Sequence, residues 1–277
     1  MRSMLLLAAV LSAAAPAALA KPKAPAAADW RTPDAENVLV IDTSRGRVIV
    51  ELVPEVAPGH VERLKVLARK GTYDGRTFFR VIDRFMAQTG DPKDTGEGAT
   101  DLPDLKAEFT FRRDAASGVV VAASPWGTDE GFLKSLPVVG QGWSWHDMTQ
   151  DGKVATWGSY CPGVVGMARD DNPDSANSQF FLMRQPYQSL DKRYTAFGRV
   201  ISGLDAIRAI KTGEPVASPQ DRMDRVRVLA DIPAAERPTV RVIDPAGAWF
   251  KAEIKRVRKL KGADFSLCDV NIPVEVN

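Results

Sequence analysis

Thr77-Phe78-Phe79-Arg80-Val81-Ile82-Asp83-Arg84-Phe85-Met86-Ala87-Gln88-Thr89-Gly90-Asp91-Pro92 is the stretch whose reading decides this chain. Residues 78–82 are dense in β-branched and aromatic side chains, Asp83 and Arg84 make a polar break, and residues 85–89 resume the apolar and polar alternation. The pattern predicts a β-hairpin. If Arg80 and Gln88 share a face of the paired strands, an always-charged guanidinium lies beside an amide that can fix its orientation, with Phe85 and Met86 supplying apolar surface. An ordinary surface hairpin with an exposed Arg carries the same pattern, so this stretch alone leaves function open.

A second, distant stretch narrows the choice. Gly163-Val164-Val165-Gly166-Met167-Ala168-Arg169 is followed by Ser175-Ala176-Asn177-Ser178-Gln179-Phe180-Phe181. In order and spacing the two stretches resemble the pocket-forming segments of the cyclophilin-type peptidyl-prolyl cis-trans isomerases. Leu190-Asp191-Lys192-Arg193-Tyr194-Thr195-Ala196-Phe197-Gly198-Arg199-Val200 resembles the family's third pocket element and the strand after it. The likeness covers residues 38–231 apart from an insertion. It implies a mainly β fold: a closed, eight-stranded antiparallel barrel capped by two helices, here with an insertion and a C-terminal extension.

The resemblance also implies roles. Arg80 is the expected catalytic residue, donating toward the prolyl nitrogen, and Gln88 the residue that holds it. Phe85, Met86, Phe181 and Leu190 are expected to grip the proline ring. Gln179 and the backbone of Ala168 and Arg169 would hold the peptide, with Tyr194 at the polar corner of the third element. Phe79 stands in place of a common His, Thr89 of a Gly, and Arg169 of a frequent Asn. Ser189 and Tyr194 stand where eukaryotic members often carry Trp and His, two changes that count against strong cyclosporin binding. Rotation about an X-Pro bond makes and breaks no covalent bond, so no cofactor is implied.

Upstream, residues 1–20 read as a secretory signal peptide: one basic residue, Arg2, an apolar run rich in Leu and Ala, and a small-x-small ending at Ala18-Leu19-Ala20. Cleavage there predicts an exported protein, most simply periplasmic and without stable membrane insertion. Residues 21–36 read as a flexible leader, rich in Pro, Ala and Lys at its start. Without Arg2 the chain has 36 basic against 35 acidic side chains, a balance that carries no footprint for nucleic acid. The expected partners are unfolded or proline-containing polypeptides, and a monomer is the default state.

Val38–Thr43 and 47–52 alternate about Ser44-Arg45-Gly46 and predict a hairpin, followed by a helix over Pro58–Arg69 with Val61, Leu64 and Leu67 at helical spacing. His60, in its first turn, is expected to be exposed. Residues 91–104 are acidic and Gly-rich, but their spacing does not match a twelve-residue calcium loop, and no His or Cys cluster supports zinc, so no metal is expected. Leu204, Ile207 and Ile210 predict a second helix, and Val226 and Val228 a closing strand.

Residues 113–160 read as an insertion, with Trp126, Trp143, Trp145 and Trp157 forming either a satellite core or an aromatic surface for extended peptide. Residues 232–277 read as an extension packed on the domain: a strand at 239–243, a helix over 248–260 with Phe250, Ile254 and Val257 on one face, and a final strand at 270–276. The two cysteines of an exported chain, Cys161 and Cys268, are expected to form a disulfide, the alternative being two buried free thiols. There is no Gly-x-Ser-x-Gly elbow or phosphate-binding Gly loop. A peptide-binding module or holdase chaperone on the same scaffold, with little isomerase activity, is the competing reading, because fold alone does not establish chemistry.

Overall fold

The computed structural model describes residues 24–277; the signal peptide expected over 1–20 lies outside them. Sixteen strands and three α-helices are present among the described residues, so the chain is mainly β. Eight of the strands form one antiparallel sheet. In spatial order these are Met223–Val228, Val38–Thr43, Gly46–Leu52, Ala196–Ser202, Val164–Met167, Phe180–Met183, Met86–Thr89 and Arg80–Val81. The sheet curls until its two edges meet. Thr77 and Arg222 form an isolated bridge, and Met223 N–H donates to the Arg76 carbonyl at 2.8 Å.

Both faces of this sheet are covered, which explains why Val38–Thr43 reads as an almost unbroken apolar run. Leu39, Val48, Val50, Phe180 and Phe197 face one way, into a core shared with Leu64 and Leu67 of the helix Pro58–Arg69. Val38, Val40, Ile49, Phe181 and Met183 face the other, toward the insertion and the C-terminal extension. Burying both sets removes far more apolar area from water than a one-sided sheet of this length.

The helix Pro58–Arg69 starts with Pro at its first turn, and Ala57 before it has no side chain able to cap. Glu108 does this instead, accepting from the Gly59 and His60 amides at 3.1 Å each. His60 is therefore not exposed as the sequence suggests. It is 1 % exposed, with Nδ1 2.6 Å from Glu108 Oε2, because the segment leading into the insertion folds back over the helix start. The second helix is a short one, Leu204–Arg208.

The insertion expected over 113–160 builds, with the two residues before it, a five-stranded antiparallel sheet: Phe111–Arg113, Val154–Gly158, Leu136–Gln141, Thr128–Leu133 and Val120–Ala123. Its buried apolar side chains include Phe132, Leu133, Leu136, Val138 and Val154 rather than the tryptophans; Trp126 is fully exposed and Trp145 about half. Phe132 meets Phe250 of the C-terminal helix Ala248–Lys261 edge to face at 5.2 Å, so insertion and extension share one core.

The leader expected to be flexible over 21–36 is structured in its second half. Trp30–Arg31 pairs with Val240–Ile243, which pairs in turn with Val274–Val276. Arg31 also grips the buried Glu51 carboxylate with both ends of its fork, at 2.5 and 2.8 Å. Only Val274–Val276 of the strand expected at 270–276 forms, since Pro273 has no N–H to offer a ladder. Cys161 and Cys268 are bonded, tying the extension to the turn before Val164–Met167.

Candidate active site

Backbone pairing decides where the guanidinium goes. Arg80 lies directly opposite Gln88 in the hairpin, so both side chains leave the sheet on one face. Arg80 Nη1 donates to Gln88 Oε1 at 3.2 Å, and Gln88 Nε2 donates to Gln179 Oε1 at 3.0 Å. Gln179 Nε2 completes the relay by donating to the Gly96 and Gly98 carbonyls, both at 3.0 Å. Each amide is thereby oriented by the next, and the chain of bonds ends on rigid backbone. The turn that allows this is tight: Arg84 takes a left-handed φ of 57°, and Ile82 N–H donates to the Met86 carbonyl at 3.0 Å.

A cavity of about 520 Å³ opens over the relay. The hairpin contributes Arg80, Gln88, Phe85 and Met86; the second segment Ala168, Arg169 and Phe181; the third Leu190 and Tyr194. Its floor is apolar and fixed. Phe181 stacks 5.8 Å from Tyr160 and meets Tyr194 edge to face at 5.8 Å, while Phe85 packs 4.5 Å from Tyr187. A Cβ on Gly166 would lie 2.6 Å from the Phe181 ring tip, so only glycine lets the strand pass beneath that ring. Gln179 lines an adjoining cavity of about 210 Å³, shared with Gln88, Gly96, Ala168 and Arg169.

The Ala168 N–H donates to the Gln179 carbonyl at 2.9 Å, which leaves the Ala168 carbonyl as its backbone group for a peptide. Arg169 lays its guanidinium 4.6 Å over the Tyr194 ring and donates to the Arg193 carbonyl at 2.9 Å, holding the third element in place.

The loop 91–98 reaches the cavity through Thr95 and Gly96 and is organised by one carboxylate. Asp91, completely buried, accepts from the amides of Lys93, Thr95, Gly96 and Gly98 at 2.6–3.0 Å. Burial pushes its pKa up, but the backbone N–H groups of Lys93, Gly98, Gly96 and Thr95 outweigh that and hold it below the usual carboxylate range. Both Asp91 oxygens are spent on these amides, and Asp94 accepts from the Thr77 amide and from Arg76. Among the described residues no group of His, Cys, Asp and Glu is arranged to hold an ion.

Sequence reasoning missed Glu214, Pro215 and Gln220, which line the same cavity. Glu214 accepts from Arg80 Nε at 2.5 Å, although 134 residues separate them. Gly213, Pro215 and Pro219 mark a loop in the sequence, but nothing local aims it at the hairpin.

Comparison with known proteins agrees with this geometry. The family model for cyclophilin type peptidyl-prolyl cis-trans isomerase/CLD matches residues 38–230. A probable peptidyl-prolyl cis-trans isomerase of Brucella suis is 36% identical over 191 residues, covering 65% of this chain and 74% of that protein. The mouse peptidyl-prolyl cis-trans isomerase-like 1 is 28% identical over 206 residues, covering 74% of this chain and 95% of its own. A crystal structure of a cyclophilin from Hirschia baltica superposes with a TM-score of 0.82 at 33% identity, covering 89% of this chain and 93% of that one.

Proposed function

The chain belongs to the cyclophilin-type peptidyl-prolyl cis-trans isomerases, and from that premise we propose that Arg80 is its catalytic donor and the cavity above it the proline site. The enzyme catalyses rotation about X-Pro bonds in proline-containing polypeptides. Conjugation sets the barrier to that rotation at about 18–20 kcal/mol. In the twisted state the nitrogen lone pair is no longer shared with the carbonyl, so a hydrogen-bond donor near the nitrogen favours that state over both planar ones. An Arg whose fork is already oriented supplies that donor without reorganisation. Phe85, Met86, Phe181 and Leu190 bury the pyrrolidine ring, and the neighbouring polar rim receives the flanking peptide.

The observation that carries this reading is the Arg80–Gln88–Gln179 relay at the edge of an apolar cup. A peptide-holding module would need the cup but not the oriented guanidinium, so the binding-only alternative is not favoured. Protease-coupled or NMR-exchange assays on a short X-Pro peptide test it: wild type accelerates exchange and Arg80→Ala loses most of that acceleration.

We also propose that the protein is exported to the periplasm, where it acts on folding clients as a monomer. Support comes from the apolar, Ala-terminated residues 1–20 and from the Cys161–Cys268 disulfide, which suits an oxidising compartment. Fractionation of expressing cells together with N-terminal sequencing tests the compartment, with Lys21 as the expected first residue. Light scattering on the purified protein tests the monomer.

A further inference from the structure

The loop 211–222 is stitched to the strand that carries Arg80, and the stitching brackets one position. Val81 and Gly213 exchange both backbone hydrogen bonds at 2.8 Å, and Val216 N–H donates to the Phe79 carbonyl at 2.9 Å. Residues 214 and 215 are therefore held opposite residue 80 by main-chain bonds on either side. A Cβ on Gly213 would lie 2.7 Å from both the Pro215 carbonyl oxygen and the Val216 Cα, so glycine is required for the loop to turn here. The loop is braced from within as well: Lys211 N–H donates to Asp221 Oδ2 at 2.8 Å, and Gln220 Nε2 to the Val216 carbonyl at 2.8 Å.

Held this way, the Glu214 carboxylate accepts from Arg80 Nε while Gln88 accepts from Nη1. A planar fork bonded at Nη1 alone can still pivot about that bond. A second acceptor on Nε, held beside Arg80 by the loop, fixes the plane and leaves the remaining Nη protons free at the edge of the cavity. We propose that Glu214 is a positioning residue for the isomerase reaction, acting through Arg80 as the second of two acceptors that set the guanidinium plane. This inference rests on Arg80 being the catalytic donor.

A bond to Glu214 has two opposed consequences. It orients the fork, and its negative charge offsets part of the cation that stabilises the twisted state. Glu214→Gln separates them, because the amide oxygen still accepts from Nε but carries no charge. Glu214→Ala removes both. If orientation governs, Glu214→Ala loses about tenfold in kcat with KM changed less than twofold, and Glu214→Gln recovers to within about threefold of wild type. The Arg80 Nε–H resonance in a nitrogen-15 correlation spectrum gives an independent reading: slowly exchanging and visible in wild type and Glu214→Gln, exchange-broadened in Glu214→Ala.

Gly213→Ala moves the carboxylate without altering its chemistry. It should lower kcat like Glu214→Ala, and the double variant should be no worse than either single one. Circular dichroism of each variant checks that the fold is intact; Glu214 is itself over half exposed, so its substitution leaves no buried hole. Wild-type kcat in Glu214→Ala, with Arg80→Ala inactive, overturns the role of Glu214 alone. Full activity in Arg80→Ala overturns the reading beneath it. A faster Glu214→Ala shows that the charge opposes catalysis more than orientation helps it, and overturns the proposal too.

Discussion

Gln88 Nε2 donates to Gln179 Oε1 across 3.0 Å, joining a strand of the hairpin to the segment that begins the second half of the pocket. Through this one bond the orientation of the guanidinium depends on a loop that bonds it only through the relay, since Gln179 is itself held by the Gly96 and Gly98 carbonyls.

Replacing Arg80 with Ala should lower kcat/KM for X-Pro exchange by about 10²–10³-fold, the cost of removing one preorganised donor to a developing charge. Arg80→Lys keeps a cation but not the fork, and should recover less than a tenth of the loss. Because Arg80 is about a third exposed, the melting temperature should move little.

Gln88→Ala and Gln179→Ala break the same relay at successive links. Each should reduce kcat by about tenfold, and the double variant should fall well short of the product, since residues in one hydrogen-bond network are not additive. Peptide exchange measured on all four proteins closes the cycle. Additive losses would show two independent roles.

Asp91→Asn leaves the loop 91–98 with fewer acceptors for its amides and should cost about 1–3 kcal/mol of stability by denaturant titration. Its lowered carboxyl pKa gives the pH dependence a sign. The contribution is present above the unfolded value, near 4, and disappears as pH falls through the lower folded value. Wild type should therefore lose its advantage over Asp91→Asn in acid.

Asp191 runs the other way. It accepts from the Tyr160 amide at 2.9 Å, but burial raises its pKa to about 6, above the unfolded value. The folded protein then binds more protons than the unfolded one between about pH 4 and 6, so this residue makes stability decline as pH rises through that window. In Asp191→Asn the decline should shrink by up to about 2 kcal/mol, measured as the difference from wild type at pH 4.5 and 7.

Reducing the Cys161–Cys268 bond opens a loop of 107 residues and should cost about 5 kcal/mol in the chain-entropy treatment. A Cys161→Ser, Cys268→Ser variant should melt lower yet keep its activity below the new transition. Loss of activity at temperatures where it remains folded would mean that the bond shapes the pocket, which is reasonable to test because Tyr160, next to Cys161, stacks under Phe181.

Much of this protein is legible in residue order. Short apolar, β-branched runs about Ser44-Arg45-Gly46 mark the strands 38–52, helical spacing marks Pro58–Arg69 and Ala248–Lys261, and the two pocket segments carry Arg80, Gln88, Gln179 and Phe181 at recognisable spacing. Those signals are local: each needs only the geometry of one element or one hairpin. What residue order did not reveal are contacts whose partners lie far apart in the chain and whose side chains have no periodic signature. The Glu108 carboxylate buries His60, Arg31 reaches Glu51, and Glu214 meets Arg80 only because the sheet curls its edges together and brings residues 213 and 81 into register. An acidic residue in a Gly and Pro loop reads as solvated until the 134 residues between it and Arg80 have folded and chosen its neighbours, so the chemistry of the fork was written in sequence and its final orientation was decided by closure of the fold.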